Sequence, residues 1–232
     1  MGEYQEVRTD DGTFAVYVAM PAKTPASAVV VLQEIFGINE DMRETCHELA
    51  EQGFIALCPD LFWRQEPRVE LNSWSEDEWK KGFELYSAFD RDLGVQDAEA
   101  TIAMARSLPE SNGKVGVMGF CLGGLMTFLT AARTSVNAAA AYYGGETEKY
   151  LAEASAIRAP TILHLGTEDE FISPEAQAAI KEAMADNSNA TVHSYPGCNH
   201  AFARHTGHHY DSAAAELANL RTYALFRRAL QD

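Results

Sequence analysis

A cysteine between two glycines stands at the junction of a predicted strand and a predicted helix. The segment Gly119-Phe120-Cys121-Leu122-Gly123 ends the apolar run KVGVMGF and opens a helix-forming run. A sharp strand-to-helix turn crowds its central residue, and glycines two positions to either side relieve the clash. The helix dipole would favour a Cys121 thiolate, and the N–H of Leu122 would stabilise an oxyanion. The pattern predicts a nucleophile; the alternative is a small buried thiol.

An acid and a base follow the cysteine, each after a predicted strand. Asp169 comes after TILHLG, and His200 comes after ATVHSY. The order nucleophile, acid, base at strand ends is typical of α/β-hydrolases. We predict that the Asp169 carboxylate orients the His200 imidazole, which takes the proton of Cys121. Glu168 and Glu170 flank Asp169 and are the alternative acids.

A carboxylate also follows the first apolar strand. Glu34 comes directly after AVVVLQ at 28–33, where solubility alone does not explain an acidic side chain. We expect Glu34 to face the pocket and to hydrogen-bond the Cys121 thiol. Because an anion disfavours a neighbouring thiolate, Glu34 would keep the thiol protonated until substrate displaces it. The N–H of Ile35 is the expected second oxyanion donor.

Short apolar runs alternate with helix-length segments in most of the chain. After a hairpin that turns at Asp11-Gly12, the predicted strands are 28–33, 54–58, 114–120, 137–143, 161–166 and 190–195. The predicted helices are at about 40–52, 76–90, 94–108, 122–133, 174–185 and 212–230. Continuous apolar strands are typical of a parallel sheet covered by helices. The prediction is an α/β fold with a doubly wound, mostly parallel sheet, helices on both faces and an N-terminal hairpin, in a single domain over 1–232.

Charge and composition limit the partners. The formal net charge of −16 argues against nucleic acid and anionic membranes, because phosphate binding requires a basic surface. An anionic substrate would need a local cation in this negative field. The sequence shows neither a signal-peptide pattern nor an apolar run long enough to span a membrane, so we expect a cytoplasmic protein. The four cysteines show no CxxC pair, which predicts free thiols.

The remaining histidines and cysteines have simpler interpretations. His205, His208 and His209 follow His200, and a metal site is the alternative to surface histidines there. No well-spaced carboxylate accompanies them, so we expect neither metal nor cofactor. The residues interpreted as packing are His164, His193, Cys46 and Cys58.

The sequence resembles the dienelactone hydrolase, or carboxymethylenebutenolidase, family of the α/β-hydrolase class over nearly its whole length. The matching segments are QEIFG at 33–37, CPDLF at 58–62, AFD at 88–90, SNGKVG at 111–116, GFCLGG at 119–124, YYG at 142–144 and GCNHAFAR at 197–204. The functional positions that the resemblance implies are the triad Cys121, Asp169 and His200, the thiol-gating Glu34, and the oxyanion amides of Ile35 and Leu122. The implied reaction opens an unsaturated lactone in bacterial degradation of chlorinated aromatics.

The resemblance also implies a substrate pocket. The family holds a substrate carboxylate with two arginines, of which Arg204 matches one and Trp79 replaces the other. An indole in place of a guanidinium weakens carboxylate recognition, unless Lys80 or Lys81 beside it reaches in as a point charge. The other implied pocket residues are Phe83, Tyr86 and Phe171.

Several interpretations stay open beside lactone hydrolysis. A broader carboxylesterase or thioesterase would use the same triad, and Trp79 favours it. A binding module without catalysis would leave the reactive residues at four strand ends unexplained. A redox-sensing thiol protein would need a resolving cysteine, for which Cys198 is the candidate. We expect a monomeric enzyme whose partner is a small ester or lactone.

Overall fold

An eight-stranded sheet forms the centre of the molecule. The structure is a computed structural model and describes residues 2–231. The strands are β1 (Glu3–Thr9), β2 (Gly12–Ala19), β3 (Ala26–Leu32), β4 (Ile55–Pro59), β5 (Ser111–Phe120), β6 (Ala138–Tyr142), β7 (Thr161–Gly166) and β8 (Ala190–Tyr195). Their order is β1-β2-β4-β3-β5-β6-β7-β8; β2 is antiparallel to β1 and to β4, and all pairs from β4 to β8 are parallel. The predicted mostly parallel sheet with an N-terminal hairpin is confirmed.

Burial along each strand follows its place in the sheet. Every residue of β3, β4, β6 and β7 is buried, whereas the edge strands β1 and β8 keep several side chains exposed or half-buried. A strand with packed elements on both faces must be apolar throughout, while an edge strand tolerates polar residues. The continuous apolar runs of the sequence therefore identified the central strands.

In the described part of the chain, six α-helices accompany the sheet. They are α1 (Glu40–Glu51), α2 (Glu76–Ala88), α3 (Arg91–Ser107), α4 (Leu122–Arg133), α5 (Pro174–Ala185) and α6 (Ser212–Phe226). The start of α5 is capped, since Oγ of Ser173 accepts from the N–H of Ala176 at 3.2 Å and Pro174 occupies the first turn. Within residues 2–231, no helix is long and apolar enough to cross a membrane.

The structure differs from the prediction at several segments. An unpredicted 3₁₀ helix, Thr147–Ala156, packs between α4 and α5. The predicted helix 94–108 begins earlier, at Arg91, because the Asp90 carboxylate caps it. The last helix ends at Phe226 and continues as a π-helical turn, Arg227–Gln231. The hairpin turns at 10–11, just before the predicted glycine.

The parallel strands bring the residues predicted to be catalytic to one edge of the sheet. Glu34 follows β3, Cys121 directly follows β5, Asp169 follows β7, and His200 follows β8. Because these strands run in the same direction, their carboxyl ends lie side by side, where ligands bind in open α/β sheets.

Candidate active site

Cys121 occupies a strained turn between β5 and α4. Its φ of 55° and ψ of −115° lie in a region that residues with a side chain seldom adopt. The turn is tight on both sides: a Cβ at Gly119 would lie 2.3 Å from the carbonyl oxygen of Gly123, and a Cβ at Gly123 would lie 2.0 Å from that of Leu32. The structure thus has the geometry that the glycine spacing predicted.

His200 and Asp169 form a buried pair. Nδ1 of His200 lies 3.0 Å from both carboxylate oxygens of Asp169, and both side chains are buried. Asp169 also accepts from the backbone N–H groups of Phe171 at 2.9 Å and Ile172 at 3.2 Å. These bonds hold the carboxylate in place and fix the orientation of the imidazole.

The loops that carry this pair are tied to each other. The backbone N–H of Glu168 donates to the carbonyl of Cys198, and that of Glu170 donates to the side-chain oxygen of Asn199. Glu168 and Glu170 are themselves exposed, so Asp169 is the acid of this segment that reaches His200. The alternative acids are therefore surface residues.

The imidazole of His200 holds its proton unusually strongly. Burial lowers the pKa of His200, but the electrostatic interaction with Cys121 and the hydrogen bond with Asp169 outweigh burial and raise this pKa to about 10. Within residues 2–231, Nε2 of His200 has no hydrogen-bond partner. Cys121 therefore raises the pKa of His200 through its charge rather than through a hydrogen bond. A protonated imidazole beside the sulfur favours a nucleophilic thiolate.

The two residues predicted to supply oxyanion amides line the same cavity as Cys121. Ile35, in the loop after β3, and Leu122, the first residue of α4, both line the cavity that contains Cys121. The N–H of Leu122 belongs to the first turn of a helix, where no intrahelical acceptor exists. Both amides therefore suit the stabilisation of a developing oxyanion.

Glu34 pairs with Arg204 rather than with the cysteine. Nε of Arg204 donates to Oε2 of Glu34 at 2.6 Å, and both side chains are buried. The guanidinium lies over the rings of Phe36 and Trp79, with centroids at 4.9 and 5.9 Å. The predicted hydrogen bond between Glu34 and Cys121 is absent, because Arg204 takes the carboxylate. Removing one partner of a buried pair typically costs about 3–5 kcal/mol.

A cavity of about 220 Å³ opens above the cysteine. Its lining residues are Ile35, Trp79, Phe83, Tyr86, Cys121, Leu122, Gly145, Glu146, Phe171, His200 and Arg204. All the pocket residues predicted from the sequence are among them. A larger, more open depression of about 470 Å³, lined by Met20, His47 and their neighbours, contains none of the reactive residues, and we assign the site to the smaller cavity.

Comparison with known proteins identifies the family. The model of the dienelactone hydrolase family matches residues 14–230. The chain belongs to this family. It is 43% identical over 212 residues to the carboxymethylenebutenolidase of Pseudomonas putida, covering 91% of this chain and 90% of that protein. It is 41% identical over 214 residues to carboxymethylenebutenolidase 1 of Cupriavidus pinatubonensis, covering 92% and 91%. The chain is thus a carboxylic ester hydrolase.

Solved structures agree on the fold of this family member. A dienelactone hydrolase from Anabaena variabilis superposes with a TM-score of 0.74 at 17% identity, covering 99% of this chain and 98% of that one. A dienelactone hydrolase-like promiscuous phosphotriesterase from metagenomic libraries gives 0.83 at 22% identity, with the same coverage. The α/β-hydrolase fold predicted from the sequence is confirmed.

Two cavity residues of this family member were missed in the sequence. Gly145 and Glu146 follow β6, and Glu146 has a left-handed φ of 67°. Its carboxylate accepts from Arg91 at 3.0 Å and also pairs with Lys149. The rule that sites lie beyond strand ends would have found both residues after the run AAAAYY.

The lysines beside Trp79 do not reach the cavity. Neither Lys80 nor Lys81 lines it, and Nζ of Lys81 instead lies 2.5 Å from the Glu66 carboxylate. Nε1 of Trp79 donates to the backbone carbonyl of Ser73 at 2.7 Å. Neither lysine therefore brings a charge to the cavity in place of the missing arginine, a possibility that the sequence left open.

The other histidines and cysteines of the described residues take part in no metal cluster. His205 is partly exposed, His208 and His209 are exposed, and residues 2–231 contain no group of three or more side chains placed to hold a metal. The packing prediction is confirmed for the buried residues His164, Cys46 and Cys58, whereas His193 is half-buried. Burial also raises the pKa of the Cys198 thiol, which disfavours it as a resolving thiolate.

The close approach at Gly123 gives a prediction about stability. We expect Gly123→Ala to destabilise the fold by about 3 kcal/mol or more, since the new Cβ would meet the Leu32 carbonyl oxygen at 2.0 Å. Urea unfolding measures the change. Gly145→Ala is the control, because a Cβ there has no atom within 4 Å, and it should stay within about 0.5 kcal/mol. Equal stability of the two variants would contradict the expected crowding.

Proposed function

We propose that the chain hydrolyses a small ester or unsaturated lactone, of the dienelactone kind, through an acyl-enzyme on Cys121. The observation that carries this proposal is the buried Asp169–His200 pair, at 3.0 Å, beside a cysteine on a strained turn that opens into a cavity. The names of the relatives, carboxymethylenebutenolidase, support a lactone as substrate. Paired with a base and its orienter, such a cysteine is suited to acyl transfer.

In the first half of the proposed reaction the Cys121 thiolate attacks the carbonyl carbon. The N–H groups of Ile35 and Leu122 stabilise the resulting oxyanion. Collapse forms a thioester and breaks the ring C–O bond, and the leaving oxygen departs as an enolate that accepts a proton from the His200 imidazolium. The ring is then open, and its acyl end is attached to sulfur.

In the second half a water molecule releases the acyl group. The neutral His200 imidazole takes a proton from the water as its oxygen attacks the thioester carbon. Collapse breaks the C–S bond and yields a carboxylic acid and the Cys121 thiolate beside a protonated imidazole. Asp169 orients the ring and stabilises its positive charge in both halves.

Glu34 enters this scheme as the partner of Arg204. The thiol-gating role implied by the resemblance would require Arg204 to release Oε2, so that the carboxylate can turn towards the sulfur. Oε1 of Glu34, which has no hydrogen-bond partner within residues 2–231, retains the acceptor capacity for such a contact.

A carboxylesterase with neutral substrates is the second candidate. The stacked rings of Trp79 and Phe83, with centroids 5.5 Å apart, favour it because they offer an apolar surface rather than a charge. A panel of an unsaturated γ-lactone, a p-nitrophenyl ester and a thioester, compared by kcat/KM, separates the two candidates. We expect kcat/KM for the lactone to exceed that for the p-nitrophenyl ester and the thioester by at least about tenfold.

The acyl-enzyme itself can be observed. Rapid acid quenching during lactone turnover, followed by mass spectrometry, should show the peptide with Cys121 heavier by the mass of the lactone, because ring opening adds the whole substrate to the sulfur. An unlabelled Cys121 throughout turnover, with the acyl mass on another residue, would rule out the proposed nucleophile.

A further inference from the structure

A second, much smaller cavity lies against Arg204. It measures about 10 Å³, and its lining includes Glu34, Tyr143 and Arg204; we call it the rear cavity. Arg204 also lines the main cavity, which contains Cys121, whereas Glu34 and Tyr143 do not. A volume of about 10 Å³ holds roughly one water-sized group. The rear cavity therefore leaves room for a side chain to turn, but not for a substrate.

Two buried polar atoms at the rear cavity lack a partner. Within residues 2–231, neither the hydroxyl of Tyr143 nor Oε1 of Glu34 forms a hydrogen bond, although both side chains are buried. Burial, and then the negative charge of Glu34, raise the pKa of Tyr143, so the hydroxyl keeps its proton. Buried polar groups are almost always paired, because an unpaired one costs free energy. An unpaired donor beside an unpaired acceptor points to a second state in which the two meet.

The other side-chain donors of the rear cavity are occupied. Oγ1 of Thr45 donates to the backbone carbonyl of Asp41 at 2.9 Å. Nε2 of His205 lies 3.4 Å from the carboxylate of Glu48. Apart from the arginine, Tyr143 is therefore the donor that the described lining offers to a carboxylate in this space.

A bound substrate can weaken the pair that Glu34 forms with Arg204. In the described part of the chain, the Arg204 side chain forms one hydrogen bond, from Nε to Glu34, so its other N–H groups can bind an acceptor in the main cavity. A substrate carboxylate at that place competes with Glu34 for the same positive charge. Glu34 then needs another donor, since a buried carboxylate without compensation is costly. A neutral substrate group leaves the pair intact.

Building on the proposed function, we infer that Tyr143 is a positioning residue for Glu34: its hydroxyl donates to the Glu34 carboxylate when an anionic substrate draws Arg204 away. Tyr143 replaces the lost partner, and the second carboxylate oxygen remains available to the thiol of Cys121. The backbone N–H of Tyr143 donates to a strand carbonyl at 2.8 Å, and its ring packs edge-on against His200 with centroids 5.0 Å apart. These contacts hold the hydroxyl in place while the carboxylate moves.

Tyr143→Phe, assayed with a matched pair of substrates, tests the inference. The two are unsaturated γ-lactones that bear, at the same position, either a carboxylate or a carboxamide. We expect kcat/KM for the carboxylate lactone to fall at least about tenfold, chiefly through KM, because a hydrogen bond to a charged group is lost. The value for the carboxamide lactone should change by less than about threefold. Equal losses for the two lactones, or no loss for either, would overturn the inference.

Tyr142→Phe is the matched control from the neighbouring position. The hydroxyl of Tyr142 already has partners, Thr222 at 2.7 Å and Asn219 at 2.9 Å, and this residue does not line either cavity. We expect a lower melting temperature and an unchanged ratio of kcat/KM between the two lactones. Tyr143→Phe should keep or raise the melting temperature, since the hydroxyl that it removes is unpaired. An equal drop in both variants would contradict the unpaired state.

Glu34→Gln shows whether Tyr143 acts through the carboxylate. A neutral amide needs no replacement for the arginine, so adding Tyr143→Phe to Glu34→Gln should lower kcat/KM for the carboxylate lactone by less than about twofold. A loss of about tenfold that persists in this background would mean that the hydroxyl acts on another group, and would overturn the inference. Thermal unfolding checks that Glu34→Gln is folded; if it is not, the binding comparison decides.

Binding separates this inference from the proposed function. Calorimetry compares Cys121→Ala, which cannot form an acyl-enzyme, with the double variant that also carries Tyr143→Phe. We expect the added substitution to weaken benzoate at least about fivefold and to leave benzamide within about twofold. If the unaltered chain opens neither lactone, the proposed function fails and binding alone decides the inference. A selective loss of benzoate upholds it, and equal changes for both ligands overturn it.

Discussion

Cys121→Ala is expected to lower kcat for the lactone or ester by at least about 10⁴-fold, because the proposed acyl bond forms on its sulfur. In the proposed mechanism nucleophile, base and acid act as a unit, so the loss should approach that of removing all three. Steady-state kinetics with the panel of substrates measures the effect. Turnover by Cys121→Ala within tenfold of the unaltered chain would contradict the assignment.

Cys198→Ala is the matched control for this variant. Its thiol belongs to the same loop as His200, but it is buried and does not line the cavity. We expect kcat to change by less than about threefold. Iodoacetamide offers an independent check, since Cys121 is half-exposed while Cys46, Cys58 and Cys198 are buried. One alkylation, at Cys121, should abolish activity.

Asp169→Asn should produce the second large effect. The amide of asparagine can donate to Nδ1 of His200, which favours the wrong tautomer of the ring. It also carries no charge to stabilise the imidazolium. We expect kcat to fall by between about 10²- and 10⁴-fold. Glu168→Gln is the control, since this neighbouring carboxylate is exposed, and it should keep activity within about twofold.

The same variant should move the pH profile in a defined direction. The Asp169 carboxylate is one of the groups that raise the pKa of His200 to about 10. Removing its charge lowers this pKa, so the alkaline limb of kcat should shift to lower pH. NMR titration of the imidazole measures the pKa directly. If the pKa of His200 falls but the alkaline limb of kcat stays at the same pH, another group controls that limb.

The pKa of His200 also has a consequence for stability. A histidine pKa that is raised on folding contributes stability below the ordinary pKa near 6.5, and this contribution disappears as pH rises through about 10. Asp169→Asn should therefore reduce the fall in unfolding free energy between these pH values, as measured by urea unfolding at several pH values.

The sequence by itself determined the sheet and the places of the reactive residues. Continuous apolar runs such as AVVVLQ and TILHLG are typical of central parallel strands, and a glycine on each side of Cys121 permits the strained turn. Parallel strands put their carboxyl ends at one edge, so the loops that carry Asp169 and His200 could be located from strand ends. The choice of Asp169 over its neighbours Glu168 and Glu170 needed the contact with His200. The 3₁₀ helix 147–156 was not predicted, because so short a segment shows no clear hydrophobic periodicity.

The tertiary structure alone decided which charges bind each other. Arg204 and Glu34 are 170 residues apart in the chain, yet their pairing takes the carboxylate away from Cys121 and balances the cation of the cavity. The sequence likewise did not show that Lys81 pairs with Glu66 or that Glu146 lies in the cavity wall. Strand periodicity is a local property of the backbone, whereas the partner of a charged side chain depends on distances that exist only after the chain has packed.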